Sequence, residues 1–199
     1  MVDETQIETM TIRLFDECEG GDGTEETRVH LANQREFPPI HIVSGRMKGF
    51  PAIRLMATAG VALRPNRVEM KDGSVREVPV ELVLAIRDER IDTLAHLAYA
   101  CALDGGTVRP GIVFKNTVEL PGSELKHCFL AEPFMWDDGA VFSRGYTLEG
   151  GTERILWLQA VPITDRELEY IVERGVDDFC EAMEREDPDL TDPERTSFL

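Results

Sequence analysis

Glu81 is the titratable residue in this sequence whose surroundings are most unusual. It interrupts an apolar run, VPVELVLAI, and a carboxylate buried there must be paired, hydrogen-bonded or protonated. One hypothesis is a small metal-dependent or acid–base hydrolase that uses Glu81 together with histidines gathered by the fold. A structural ion pair or hydrogen bond is the preferred interpretation, because burial alone does not make a catalytic group.

The histidines and cysteines form no recognisable metal or nucleophile motif. His127 and Cys128 are adjacent, and neighbours on a strand point to opposite faces, so they cannot easily share an ion. The remaining candidates are far apart in sequence: His30, His41, His96, Cys18, Cys101 and Cys180. Scattered thiols of this kind are predicted to be reduced and partly buried. Nor does G-x-x-x-x-G-K-[ST], G-x-S-x-G or H-E-x-x-H occur. We therefore predict no catalytic residue, metal or cofactor.

Two aromatic residues are the candidate partner-binding residues. Phe134 and Trp136 flank a turn, and exposed aromatic side chains dominate many protein interfaces. The competing and more common outcome is packing against the body, because aromatic side chains also fill cores.

Charge is concentrated at the two ends of the chain. The 199 residues include 38 acidic and 21 basic side chains, for a net charge of -17, which excludes a nucleic-acid binder that works by neutralising phosphates. Residues 1–27 hold nine acids and one base, and residues 177–195 hold nine acids and two bases. Like charge that keeps copies of the protein apart is the ordinary interpretation. Attraction of a basic partner and mimicry of a nucleic acid are the alternatives.

No membrane segment or export signal is recognisable. The chain lacks a stretch of about 18 apolar residues, and its first residues, MVDETQIETM, lack the basic and apolar regions of a signal peptide. We expect a cytoplasmic protein.

The elements predicted from periodicity form an α+β domain. Apolar runs rich in β-branched residues predict strands at 40–44, 52–62, 78–86, 107–114, 128–131, 140–146 and 154–161, with a hairpin turn at Asp72 and Gly73. Spacing of three and four predicts a helix at 91–102. The runs at 78–86 and 154–161 are apolar on both faces, which places them inside a sheet. We predict one domain, a mixed β-sheet with helices packed on it.

A capping box marks the last helix. Thr164 and Glu167 can each satisfy one backbone N–H at its start, and Gly175, on its apolar stripe, indicates a close crossing or a local break. Residues after about 186 are predicted to be extended or mobile. The predicted division is an acidic N-terminal segment with a short helix and loop at 1–27, a domain at 28–186 and an acidic extended tail at 187–199.

Several stretches taken together resemble the suppressor of fused family. The best is ILWLQAVPITDRELEYIVERGVDDF, residues 155–179, with its apolar strand, Val-Pro-Ile-Thr junction and Gly-containing helix. The run at 80–84 is similar to the family's Glu-Leu strand, and Thr58-Ala59-Gly60 to its Thr-x-Gly element. The helix at 91–102 and the segment at 120–134 follow in the same order. The similarity covers about residues 55–185.

The resemblance implies a non-enzymatic, protein-binding domain of the family's single-domain bacterial form. Many members of that form are immunity proteins that neutralise toxins, and acidic flanks suit a basic toxin as partner. The charge balance and the lack of a long apolar stretch lead us to expect neither nucleic acid nor membrane as a partner.

Overall fold

The computed structural model describes residues 25–29, 40–47, 49–64, 66–69, 72–88, 90–103, 107–135, 146–147 and 154–199. The helices within them are α1 (Asp92–Leu103), α2 (Asp165–Arg174) and α3 (Val176–Glu186), with a 3-10 turn at Val61–Leu63. The strands are β1 (Glu25–Val29), β2 (Ile40–Met47), β3 (Phe50–Ala59), β4 (Arg67–Glu69), β5 (Val75–Glu77), β6 (Val80–Ile86), β7 (Val113–Phe114), β8 (Leu125–Ala131), β9 (Tyr146–Thr147) and β10 (Arg154–Thr164).

Most of these strands join one mixed sheet, in the order β1-β2-β3-β6-β10-β8-β7. β6 and β10 run parallel at its centre, and the other neighbours run antiparallel. β9 pairs with the start of β10, while β4 and β5 form a separate ribbon around the predicted Asp72–Gly73 turn. The predicted mixed sheet, with β6 and β10 inside it, is confirmed.

α1 covers one face of the sheet. Leu94, Leu97 and Ala98 of α1 are buried in one cluster with side chains of the sheet. The residues that β6 and β10 contribute to this cluster alternate along each strand: Val80, Leu82, Leu84, Ile86, Leu158 and Ala160. Because successive strand residues point to opposite faces, Glu81 is directed to the other side of the sheet.

α2 and α3 pack over β8 and the end of β10 on the opposite face. Phe129 of β8 and Phe179 of α3 meet edge to face, with ring centroids 5.2 Å apart, a favoured geometry for aromatic pairs. Val161 and Ile163 of β10 share their buried cluster with Ile171 of α2. The last long strand and the helices after it therefore form one packing unit.

The capping box and the glycine break are both present at the end of β10. Thr164 Oγ1 accepts a hydrogen bond from the Glu167 N–H at 3.2 Å, and Glu167 Oε2 accepts one from the Thr164 N–H at 2.8 Å. Gly175 ends α2 with φ 95° and ψ 169°, a conformation essentially confined to glycine. Of the two alternatives for Gly175, the local break is therefore observed.

The segment after α3 contains two turns, at residues 190–191 and 193–194, and packs against the body. Arg195 is 8% exposed, and its guanidinium contacts the buried Glu167 carboxylate at 2.6 and 3.0 Å. The Phe198 ring lies 5.6 Å from that of Phe179. These contacts do not agree with the predicted mobility, because a basic side chain on the tail reaches a carboxylate in the body.

Several predicted boundaries differ from the structure. The strand expected at 52–62 ends at Ala59, and a 3-10 turn at Val61–Leu63 follows it. Glu25–Val29 forms β1, although residues 25–27 were expected in a loop, because backbone pairing with β2 outweighs their polarity. The strand expected at 107–114 is reduced to Val113–Phe114, since a turn occupies residues 110 and 111. The helix expected near the N-terminus and most of the strand expected at 140–146 lie outside the described residues. The domain division at 28 and 186 remains a prediction.

Candidate functional site

A groove of about 950 Å³ opens between α3 and the end of β8. The loop before β7 forms one of its sides and is tied to β8, because the Gly111 N–H donates to the Leu130 carbonyl at 2.8 Å. Gly111 also faces α3, where an added Cβ would lie 3.4 Å from Val176. Its φ of 86° favours glycine, whereas the distance to Val176 is that of an ordinary van der Waals contact.

The floor of the groove is apolar. Phe129 and Met183 are buried and present part of their surface to it, alongside Ala131 of β8. Val176 and Leu190 continue the apolar lining towards the two ends of α3. A large apolar side chain of a partner would find matching surface here.

The rim of the groove is acidic. Its carboxylates come from the segment after β8, from α3 and from the chain after α3: Glu132, Asp177, Glu184, Asp187 and Asp189. Arg109 is the basic residue among the lining residues. The rim therefore has a strongly negative balance.

The C-terminal segment builds one wall. The Asp189 carboxylate accepts hydrogen bonds from the Thr191 hydroxyl at 2.7 Å and from the Arg87 guanidinium at 2.6 Å. These contacts lower the pKa of Asp189. The Arg87 N–H also donates to the Thr191 carbonyl at 2.8 Å. This wall is held to the end of β6 by paired groups.

Phe134, one of the two candidate partner-binding residues, lies at the groove and is 48% exposed. The Gln159 side chain accepts hydrogen bonds from the Phe134 N–H at 3.1 Å and the Met135 N–H at 3.4 Å. Gln159 thus holds the segment that carries Phe134. Trp136 lies outside the described residues.

Cys180 lies in the groove between two carboxylates of its own helix. Burial and the neighbouring Asp177 and Glu184 raise the pKa of its thiol, so the protonated thiol predominates near neutral pH and only its small thiolate fraction reacts. Burial also raises the pKa of Cys128. These directions agree with the predicted structural, reduced cysteines.

Glu81 is fully buried and its carboxylate is occupied by four donors. Oε2 accepts from the Thr58 hydroxyl at 2.6 Å and the Val61 N–H at 3.3 Å. Oε1 accepts from the N–H groups of Gly60 at 2.9 Å and Ala62 at 3.0 Å. Burial raises the pKa of Glu81 to about 7, and these donors oppose the rise. Glu81 therefore anchors the turn after β3. This is the structural hydrogen-bonding role that the sequence analysis preferred over a catalytic one.

His127 is saturated rather than free to act as a base. Its Nδ1 accepts a hydrogen bond from the Asn116 N–H at 3.0 Å, and its Nε2 lies 2.8 Å from the Asp165 carboxylate. The Nε2 therefore carries a proton and donates it in that bond. Lys126 pairs with the same carboxylate, and both neighbours lower the pKa of Asp165.

None of the four hydrogen-bond donors to Glu81 is a histidine. His96 lies 3.7 Å from Glu119 on the surface, and His41 is buried in β2; His30 lies outside the described residues. Across the described ranges, no three His, Cys, Asp or Glu side chains are arranged to hold a metal. In the same ranges no helix has the length and apolarity to cross a bilayer.

Sequence reasoning missed the groove because its lining is assembled from distant segments. Asp177 was counted only with the acidic residues at 177–195, and Arg109 was not singled out. One signal was available: Asp177 and Glu184 are seven residues apart and lie on one side of α3, with Cys180 between them.

Comparison with known proteins identifies a family. The model of the family described as suppressor of fused protein (SUFU) matches residues 37–196. Immunity protein YqcF of Bacillus subtilis (strain 168) is 28% identical over 126 residues, which are 60% of this chain and 62% of that protein. The match thus spans less than two thirds of that relative's length.

Solved structures share the fold. A suppressor of fused homologue from Neisseria gonorrhoeae FA 1090 superposes with a TM-score of 0.66 at 14% identity, over 98% of this chain and 96% of that one. A chain of the Sufu–Fu complex gives 0.62 at 12% identity, over 98% and 91%. Drosophila suppressor of fused gives 0.61 at 12% identity, over 96% of this chain and 50% of that chain.

Proposed function

The chain belongs to the suppressor of fused protein (SUFU) family, and from that premise we propose that it is a non-enzymatic protein-binding domain. Its specific form in this proposal is an immunity protein that neutralises a basic toxin in the cytoplasm. The relative named as an immunity protein supports this form. A suppressor of fused protein solved together with Fu supports protein binding in general.

The single observation that carries the proposal is the groove beside α3. Its apolar floor and acidic rim have the composition of a binding surface, which has few charged residues at its centre and polar groups around them. Phe134, half exposed at its edge, is the candidate anchor. We also propose Trp136, which lies two positions after Phe134 in sequence, as a second partner-binding residue.

The groups most able to do acid–base chemistry are engaged elsewhere, which supports a non-enzymatic role. All four hydrogen bonds to the Glu81 carboxylate come from its own domain, and both ring nitrogens of His127 have partners. A general base needs a free lone pair within reach of a substrate proton.

Co-purification from the source cells tests the proposal, with a matched pair of aromatic variants. Phe134→Ala removes the candidate anchor, and Phe50→Ala removes an aromatic side chain that is 59% exposed near the turn between β2 and β3. We expect one protein to be recovered by the wild type and by Phe50→Ala, and to be depleted with Phe134→Ala.

Growth assays then test the immunity form. The recovered protein should arrest growth when expressed alone, and co-expression of this chain should restore growth. A recovered protein without toxicity would refute the immunity form and leave protein binding standing. A bound metabolite in place of any protein partner would refute both.

A further inference from the structure

We infer that the groove binds a cationic amphipathic helix of the partner, lying alongside α3, with basic side chains seven residues apart and apolar side chains between them. This inference rests on the proposed function, because it names the chemistry of the partner at the same site.

Unpaired carboxylates at the rim are the first reason. In the part of the chain that the structure describes, Glu132, Asp177, Glu184 and Asp187 form no ion pair or side-chain hydrogen bond and are exposed at the groove. Asp189 differs from them, because Arg87 already pairs with it at 2.6 Å. A basic partner could therefore form ion pairs with these four carboxylates without first breaking an existing ion pair.

The C-terminal end of α3 adds to the negative potential. Backbone carbonyls at the end of a helix carry a partial negative charge, and Glu184 and Asp187 lie at that end. The basic residue in this turn, Arg185, pairs with Glu186 at 2.8 Å. A cation of a partner would be favoured there by both the carboxylates and the helix dipole.

The thiol of Cys180 in the floor of the groove is affected by the same negative potential. Asp177 and Glu184 both raise the pKa of Cys180, after burial. Their effect on a group between them shows that the two carboxylates act on the interior of the groove as well as on solvent.

The spacing between Asp177 and Glu184 corresponds to two turns of a partner helix. Asp177 and Glu184 are separated by two turns of α3, or roughly 10 Å at 1.5 Å per residue. Two turns of a second helix about 10 Å wide occupy roughly 850 Å³, which is close to the groove volume of about 950 Å³. A helix with Lys or Arg at i and i+7 would face both carboxylates.

The floor then selects the residues between the two cations. Cys180 and Met183 lie between Asp177 and Glu184 on the side of α3 that lines the groove. Leucine at i+3 and i+4 of the partner helix would project towards them, because these positions share a face with i and i+7. Phe129 and Ala131 of β8 provide the opposing apolar surface.

Synthetic peptides test this pattern on the full-length protein. The probe is a labelled helical peptide of about 15 residues with Lys at i and i+7 and Leu at i+3 and i+4. A scrambled peptide of the same composition is the sequence control. Fluorescence polarisation measures binding, and site-resolved mass spectrometry measures iodoacetamide labelling of Cys180. We expect the patterned peptide to bind, to protect Cys180 from labelling, and to weaken as salt rises from about 0.05 to 0.5 M.

Two charge-neutral variants on α3 give a matched comparison. Asp177→Asn/Glu184→Gln neutralises the groove side, and Asp178→Asn/Glu181→Gln neutralises two exposed carboxylates of the same helix that do not line the groove. We expect the groove variant to bind the peptide about tenfold more weakly and the control to bind within about twofold of wild type. Unchanged circular dichroism and unfolding midpoints establish that both variants are folded.

Several results would overturn the inference. They are equal binding of the scrambled peptide, equal weakening by the two variants, unprotected Cys180, or no binding of the patterned peptide at millimolar concentration. These results are separate from a failure of the proposed function. If the natural partner is recovered and Asp177→Asn/Glu184→Gln still binds it normally, this inference fails and protein binding stands. If no protein partner exists, the proposed function fails while the peptide titration still decides whether the groove recognises this pattern.

Discussion

Replacing Arg195 with Met should destabilise the protein by about 3–5 kcal/mol, the usual cost of removing one partner from a buried ion pair. The Arg195 guanidinium contacts both oxygens of Glu167 and donates to the Pro162 carbonyl at 2.7 Å. Glu167 is fully buried, so the substitution leaves its charge without a cation. Methionine keeps much of the apolar stem, and the loss therefore reports the charge and hydrogen bonds.

The measurement is the free energy of unfolding in urea for wild type, Arg195→Met and a surface control. In the control, Arg185→Met, the lost partner is exposed Glu186, and we expect stability indistinguishable from wild type. A third variant, Arg195→Met/Glu167→Gln, should recover part of the loss, because the glutamine is uncharged and can still accept from the Thr164 N–H.

Two outcomes would refute this reasoning. A loss of under about 1 kcal/mol for Arg195→Met would place the pair in the range of exposed ion pairs. A further loss in the double variant would show that an unpaired Glu167 charge is not the cause. Because residues 187–191 form a wall of the groove, Arg195→Met should also weaken peptide binding, and this effect should be absent in Arg185→Met.

Three further substitutions test the local arguments. Relative to Glu81→Gln, the wild type should lose about 2 kcal/mol of unfolding free energy between pH 5 and pH 8. The reason is that the pKa of Glu81 in the folded protein, about 7, is raised above the ordinary 4.5. The stabilisation that protonated Glu81 provides is therefore fully present below pH 4.5 and is lost as the pH rises through 7. Parallel pH profiles of the two proteins in urea would contradict this. Gly175→Ala should cost about 1–3 kcal/mol in the same assay, because φ is 95° there, and an unchanged midpoint would show that the backbone relaxes freely. Thr164→Ala should cost about 1 kcal/mol through the lost cap, whereas Thr164→Ser should cost much less; equal losses would point to the methyl group instead of the hydroxyl.

Local chemistry accounts for the elements that were predicted well. The capping box at Thr164 needs only residues within one turn, and the hairpin at Asp72 and Gly73 needs only a turn with positive φ, which is 79° at the glycine. The two central strands were recognisable because both of their faces are apolar. The family resemblance at residues 155–179 covers this same part of the chain, and the family match at 37–196 extends it.

Long-range contacts account for what was missed. The tail was predicted to be extended or mobile, but Arg195 within it has a buried partner that lies 28 positions away in sequence. Glu81 was recognised as a carboxylate that needs donors, while the identity of those donors depended on how the chain turns after β3. The contact between Gln159 and the backbone of Phe134 likewise joins segments 25 residues apart in sequence.

By itself the sequence determined the class of the fold, the central strands, the last helical unit and the family. These follow from periodicity, capping and a local run of residues, which act over a few positions of the chain. Tertiary structure alone decided that the acids of α3 meet an apolar floor from β8, and that Glu81 and His127 are closed off by their own hydrogen bonds. The physical reason is that a groove and a saturated polar group are both made by segments far apart in sequence, and their proximity exists only once the sheet has paired and the helices have packed on it.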